Sequence, residues 1–363
     1  LAGNTLGNIL KITSFGESHG DSVGVVLEGL PAGLSIDRKY IQSCLDRRRP
    51  GQSSISTTRN EKDEFQIISG VFEDTSTGHP ITIIIPNENQ KSKDYDKLKD
   101  VFRPSHADFT YAKKYGIRDY RGGGRSSARV TAAWVAAGAI AQLMLNKLSS
   151  IQICSYVSQV HTISLSDADP IDLSIIEKTA VRCPNQERAK EMIEAIANAK
   201  EEGDSLGGII HTEINGCPVG LGEPVFSKLH ADLGQAVLSI NACKGIQFGT
   251  GFASTRMKGS EFNDEWTNNS GEIQTTSNSS GGIQGGISNG SSINFDAVFR
   301  PTSSISKTQN TVNQDGEEIS LQVEGRHDPC VVPRAVPIVE ALTALVLADH
   351  LLRARLNKIE DLL

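Results

Sequence analysis

Aromatic residues are scarce in this chain, at 5% of 363 positions, and a surface that stacks many nucleic-acid bases is therefore not expected. Positive charge is not in excess either. The net charge is −7, which argues against nonspecific binding to nucleic acid or anionic membranes. The six cysteines, at positions 44, 154, 183, 217, 243 and 330, include no CxxC pair. Neither a zinc site nor a thioredoxin-like motif is expected, and the spread reads as reduced cysteines of a cytosolic protein. The first twenty residues hold no basic segment followed by an apolar one, so no signal peptide is expected. The nearly apolar run 130–145 is short for a bilayer and rich in alanine, and it reads as a buried helix. Together these absences predict a soluble, cytoplasmic protein that engages no nucleic acid, no membrane and no metal.

What remains is ordinary globular composition, 38% hydrophobic and 22% charged, without a break that would place a linker. A single domain over 1–363 is expected. Strand patterns occur at 8–14, 22–29, 65–72, 81–85, 151–160 and 207–214. Helices are predicted from a Ser35 cap to about Arg48, over 108–115 with Gly116 at its end, and from the glycine loop to about Leu148. Others are predicted from Pro184 to Gly203, over 228–238, and from about Val336 to Leu356. Residues 260–290, rich in Gly, Ser and Asn, read as a long functional or mobile loop. His106-Ala107-Asp108 recurs as His230-Ala231-Asp232, an echo compatible with two related halves.

Arginines bunch locally despite the acidic total: Arg47-Arg48-Arg49, then Arg118, Arg121, Arg125 and Arg129, then Arg326 and Arg334. Such clusters suit either a focused site for small anions or surface ion pairs. In Arg121-Gly122-Gly123-Gly124-Arg125-Ser126-Ser127, glycines permit close backbone approach, and two serines stand where a helix begins. That is an anion-binding pattern, or a structural turn plus cap. It is neither a Walker A loop nor a dinucleotide turn. His19, in Phe15-Gly16-Glu17-Ser18-His19-Gly20, is exposed enough in its turn to transfer protons, or is a plain turn histidine. His106 follows the rigid Arg103-Pro104, and Asp328 precedes Pro329, where it serves as a base, an orienting group or an ion-pair partner of Arg326. Each bland reading survives alone. The recurrence of arginine, histidine and glycine signals in separated segments is what a shared site requires.

Taken together, FGESHG at 15–20, LDRRRPGQS at 45–53, VFRPSHAD at 101–108, TYAKKYGIRDYRGGGRSSAR at 110–129, GGIQGGISNG at 281–290, RPTSS at 300–304 and GRHDPC at 325–330 resemble chorismate synthases, in order and spacing. The resemblance covers nearly the whole chain. It implies an α+β fold with helices sandwiched between antiparallel sheets, pseudo-duplicated, in a homotetramer. It implies a lyase of aromatic amino-acid biosynthesis that converts 5-enolpyruvylshikimate 3-phosphate into chorismate and phosphate by 1,4-anti elimination, the last step of the shikimate pathway, with reduced FMN that is not consumed.

The resemblance also implies roles. Ser18, Arg48, Arg49, Arg103, Arg129 and Arg334 contact the substrate. Arg125, Ser126, Ser127, Asn241, Ala242, Gly285, Arg300, Pro301, Thr302, Ser303, Ser304 and Arg326 contact FMN. His19 is the acid that helps phosphate leave, His106 protonates the reduced flavin near N1, and Asp328 assists removal of the C6 proton. The reading is a monofunctional synthase served by an external flavin reductant. Its rivals are a bifunctional enzyme with its own NADPH-dependent flavin reductase, and a non-catalytic flavin- or anion-binding protein on the same scaffold. Three positions depart from the family pattern: Leu1 replaces the usual methionine, Ser54 a common arginine that bears on any nicotinamide contact there, and Arg300 a common lysine.

Overall fold

The structure is a computed structural model that describes residues 3–53, 55–56, 61–88, 98–323 and 328–362. In the strand Ile81–Pro86, every second side chain (Ile81, Ile83, Ile85) is fully buried. A β-branched strand with one covered face behaves this way. It belongs to an antiparallel five-stranded sheet ordered Thr5–Leu6, Lys11–Gly16, Ser22–Glu28, Ile81–Pro86, Gln66–Ser69. A second antiparallel five-stranded sheet runs Cys243–Phe248, Ile293–Phe299, Gly208–Asn215, Gln152–Val160, Ile163–Ser164. Its Ile210, Thr212 and Ile214 turn inward in the same alternation.

The helices are α1 (Arg38–Arg48), α2 (Asp108–Tyr115), α3 (Thr131–Leu148), α4 (Gln186–Glu201), α5 (Leu229–Leu238), the single turn α6 (Gly259–Phe262) and α7 (Val332–Ala354). Helix α3 packs on the first sheet, α7 packs on the second, and the two helices pack on each other. Helices therefore lie between two antiparallel sheets, the α+β sandwich that the resemblance implied. One apolar cluster runs through both sheets and both helices. The segments Ala128–Leu148 and Val332–Ala354 are long and apolar enough to cross a membrane, longer than the sequence run suggested, yet 78% and 83% of their most apolar 18-residue stretches is buried inside the protein. They are the core. All six cysteines are free thiols.

Several element ends differ from expectation for local reasons. Asp37, not Ser35, caps α1: its carboxylate accepts from the Lys39 and Tyr40 amides at 2.9 and 3.0 Å. Asn185 caps α4, so Pro184 stands just outside it. Helix α7 begins at Val332, a turn before Val336, because Pro333 suits the first turn. Pro337 then lacks the N–H that would reach the Pro333 carbonyl, and Arg182 Nη1 donates there instead, at 2.6 Å. The segment expected as a 260–290 loop carries two hairpins, Trp266–Asn269 with Glu272–Thr275 and Ile283–Gln284 with Ile287–Ser288. Asp264 organises them, accepting from Ser277 Oγ at 2.6 Å and the Ser279 and Ser280 amides at 2.7 and 2.9 Å. Against its partial burial, the Ser277 and Ser280 hydroxyls hold this carboxyl down at about 2. The repeated His-Ala-Asp meets different partners in its two copies: Asp108 pairs with Arg103, Arg118 and His106, and Asp232 with the buried His350 at 2.9 Å and Arg353 at 3.6 Å.

Helices α3 and α7 touch at Gly138, where an added Cβ would stand 2.4 Å from Ala341 Cβ and 2.6 Å from its carbonyl oxygen. Gly138→Ala is expected to lose about 1–3 kcal/mol of stability by overpacking, despite alanine's better helix propensity. Urea unfolding measures it; a variant as stable as the parent would mean that the helix pair separates freely.

Candidate active site

The turn before Ser22–Glu28 presents His19. Gly20 N closes it on the Glu17 carbonyl at 3.2 Å, and Ser18 Oγ lies 3.1 Å from His19 Nδ1. The glycine loop packs on the ring: a Cβ at Gly122 would stand 2.4 Å from His19 Cε1, so only glycine admits the histidine, which is 5% exposed. Asn87 spans the turn from outside, its Nδ2 donating to the carbonyls of Glu17 and Gly20 at 2.9 and 2.8 Å.

Arg48 and Arg129 meet inside the protein on one carboxylate. Arg48 Nη2 donates to Asp63 Oδ2 at 2.5 Å and Arg129 Nη1 to Asp63 Oδ1, with all three side chains at most 3% exposed. Burial, with Arg334 and Arg129 nearby, pulls the Arg48 guanidinium down to about 10, and Asp63 opposes the fall. It stays charged at neutral pH. Burial pushes the Asp63 carboxyl up, but the two arginines outweigh this and hold it below the usual carboxylate range. One carboxylate under two guanidinium groups leaves a net positive charge, and the buried Arg48 Nε has no partner among the described residues.

A second acid organises the next wall. Asp108, at the start of α2, accepts from Arg103 Nε at 2.7 Å and from His106 Nδ1 at 2.9 Å, and forms an ion pair with Arg118 Nη1 at 2.9 Å. Burial raises its pKa, but the Arg103 and His106 hydrogen bonds keep it far below the ordinary range. The contact occupies Nδ1 of His106 and leaves Nε2 for a ligand. Ser105 before it has φ 56°. Across the cavity, Arg334 donates to the Asp328 carboxylate and, through Nε, to the Arg48 carbonyl at 3.1 Å. Arg300 donates to the carbonyls of Pro301 and Ser105 at 2.8 and 3.1 Å.

These groups enclose one cavity of about 520 Å³. Of the residues expected from sequence, His19, His106, Asp328, Arg48, Arg103, Arg129, Arg334, Ser126, Ser127, Asn241, Ala242, Arg300, Thr302, Ser303 and Ser304 line it. Ser18 lies behind His19. Pro301 is not in the lining, although its neighbours are. Arg49, at the end of α1, turns back to Asp46 at 3.6 Å. Arg125 lies outside the lining, tied to the Ser14 and Gly16 carbonyls, each at 3.0 Å. Gly285 sits exposed in the Ile283–Ser288 hairpin, also outside it. Arg326 and Ser54 fall outside the described residues. Asp328 meets Arg334, a partner not anticipated. Sequence reasoning passed over Asp63, Asp108, Asn87 and Glu61. Asp63 sits in a Glu-Lys-Asp-Glu run that reads as solvated surface, and its φ of 54° leaves no mark in the sequence.

Comparison with known proteins fits this arrangement. A family model described as chorismate synthase matches residues 10–352. A chorismate synthase of Phocaeicola vulgatus is 54% identical over 357 residues, covering 98% of this chain and 99% of the relative. That of Parabacteroides distasonis is 56% identical over 350 residues, covering 96% and 98%. A crystal structure of chorismate synthase superposes with a TM-score of 0.76 at 29% identity, over 96% of this chain and 93% of the other.

Asp63→Asn would leave Arg48 and Arg129 buried beside each other without their counter-charge. A loss of about 3–5 kcal/mol is expected in urea unfolding at pH 7. Because the folded pKa of Asp63 is depressed, its contribution is complete above the unfolded value near 3.9 and shrinks as pH falls toward the folded one. The parent should therefore lose stability more steeply than the variant as pH drops below about 5. Parallel slopes would show that Asp63 does not carry the charge balance.

Proposed function

The chain belongs to the chorismate synthase family, and from that premise we propose how the residues around the cavity carry out the family's reaction. The activity is that of a phosphate-eliminating lyase, which takes 5-enolpyruvylshikimate 3-phosphate to chorismate, and the family works with reduced FMN. The convergence of Arg48, Arg103, Arg129 and Arg334 with His19 and His106 on one cavity is the observation that carries the reading. A substrate with two carboxylates and a phosphate needs several fixed cations. A departing phosphate needs an acid.

Residues on one side of the cavity fit the cofactor. The buried Asn241 Oδ1 has no partner among the described residues, while Asn241 Nδ2 donates to the Ser126 carbonyl at 2.7 Å. Ser126, Ser127, Thr302, Ser303 and Ser304 add hydroxyls beside Arg300. These, with Ala242, would hold FMN. When bound, reduced FMN supplies transient electron density to the ring as phosphate departs.

The protein's own groups do the rest. Arg48, Arg103, Arg129 and Arg334 hold the substrate anions in a fixed orientation. His19 delivers a proton to the leaving phosphate oxygen. His106, fixed through Nδ1 by Asp108, keeps a proton at Nε2 and offsets negative charge beside it. Asp328, steadied by Arg334, assists removal of the C6 proton as the phosphate bond breaks. The reading extends to a monofunctional, cytoplasmic homotetramer supplied with reduced flavin from outside; the sequence carries no G-x-G-x-x-G turn.

The test is an anaerobic assay with photoreduced FMN that follows both chorismate and phosphate. His19→Ala and His106→Ala should fold, bind FMN and lose about 10²–10⁴-fold in turnover. A near-normal rate would remove that histidine from the mechanism. With oxidised FMN and NADPH alone, no sustained chorismate formation is expected; robust turnover would establish a built-in flavin reductase.

A further inference from the structure

We propose that Asn87 is a positioning residue that locks the proton donor His19 to the substrate clamp Arg129; this rests on the role given to His19 above. Asn87 follows the strand Ile81–Pro86 and is buried. Its amide N–H donates to the Asp21 carbonyl at 3.0 Å, which fixes it beside the His19 turn. Both hydrogens of Nδ2 are engaged, on the carbonyls of Glu17 and Gly20, the two outer residues of that turn. Its Oδ1 accepts from Arg129 Nε at 2.8 Å. One side chain thus grips the turn at both ends and the arginine at its root.

The turn does not need Asn87 in order to close, because Gly20 N already reaches the Glu17 carbonyl. What Asn87 adds is the position of the turn relative to Arg129. Arg129 gives Nε to Asn87, one Nη1 hydrogen to Asp63 and one Nη2 hydrogen to the Pro86 carbonyl at 2.9 Å. A guanidinium has five N–H groups, so two remain for a bound anion. An anion on those two sits at a set offset from His19, and that offset is set through Asn87. Among side chains of this size, only a carboxamide offers two donors and an acceptor. Aspartate keeps the acceptor for Arg129 and turns the other end against two carbonyls.

Asn87→Asp, assayed anaerobically with photoreduced FMN, should lower kcat about 10–100-fold while KM for the enolpyruvyl substrate stays within about twofold. Asn87→Ala, which places no charge beside the carbonyls, should lower kcat similarly and raise KM as Arg129 loses one anchor. In a His19→Ala background, Asn87→Asp should have no further effect on kcat. The proposal is overturned if Asn87→Asp folds and turns over normally, if its full effect persists without His19, or if both Asn87 variants fail to fold by thermal unfolding. A His19→Ala enzyme with normal turnover would instead sink the role of His19 itself.

Discussion

Two arginines from distant parts of the chain stand side by side in the interior, and a single carboxylate makes that possible. Without Asp63, the Arg48 and Arg129 guanidinium groups would repel each other with almost none of either side chain exposed to solvent. With it, the three groups carry one net positive charge aimed at the cavity. Asp108 repeats the device with Arg103 and Arg118 and adds His106. Each acid serves two purposes. It lets cations be buried, and it leaves them incompletely neutralised, so that the wall keeps an appetite for anions. A chain of net charge −7 thereby holds a locally positive chamber.

The fold brings these groups together because element ends from both halves of the sandwich face one cavity. Arg48 closes α1, Arg129 leads into α3, and Arg334 opens α7. Helices α3 and α7 approach closely only because Gly138 has no side chain. Their packing thus reaches the site through the arginines at their N-terminal ends. Non-glycine residues at Asp63, Ser105 and Ala242 have left-handed backbone, each strained by about 1–3 kcal/mol. All three belong to or brace the cavity wall. Strain of that kind persists where neighbouring contacts over-determine the backbone, and here arginine hydrogen bonds to Asp63 and to the Ser105 carbonyl do so.

Much of this was legible in the sequence, and the failures have physical reasons. The sandwich followed from the family resemblance that the motifs carry across the chain. Helix α2 fell where Asp108 and Gly116 bound it. The triple arginine at the end of α1 was not legible residue by residue. Successive helical positions turn by about 100°, so Arg47 reaches Glu177 and Glu340, Arg48 enters the cavity, and Arg49 folds back on Asp46. Charge patterning counts such residues alike. Arg125 shows a related ambiguity, since a basic residue in a glycine loop suits an anion but equally suits carbonyls, and here it ties the loop to Ser14 and Gly16. Asp63 and Asn87 were invisible because their importance lies in partners far away in sequence. The 260–290 stretch read as loop because its order depends on one carboxylate, Asp264, and on serine donors that look like flexible linker.

Arginine rather than lysine recurs in this wall for a reason that the contacts make plain. A guanidinium can spend some donors on the protein and keep others for a ligand, whereas an ammonium is a single mobile point. Arg129 commits three N–H groups and keeps two. Arg300 shows the same economy: it bridges the carbonyls of Pro301 and Ser105 with two different nitrogens, tying the Thr302–Ser304 wall to the turn that carries His106. One flexible ammonium would hold such a pair of carbonyls with less directional control. Arginine at this position therefore supplies both a positive charge and a brace between two segments of the cavity wall.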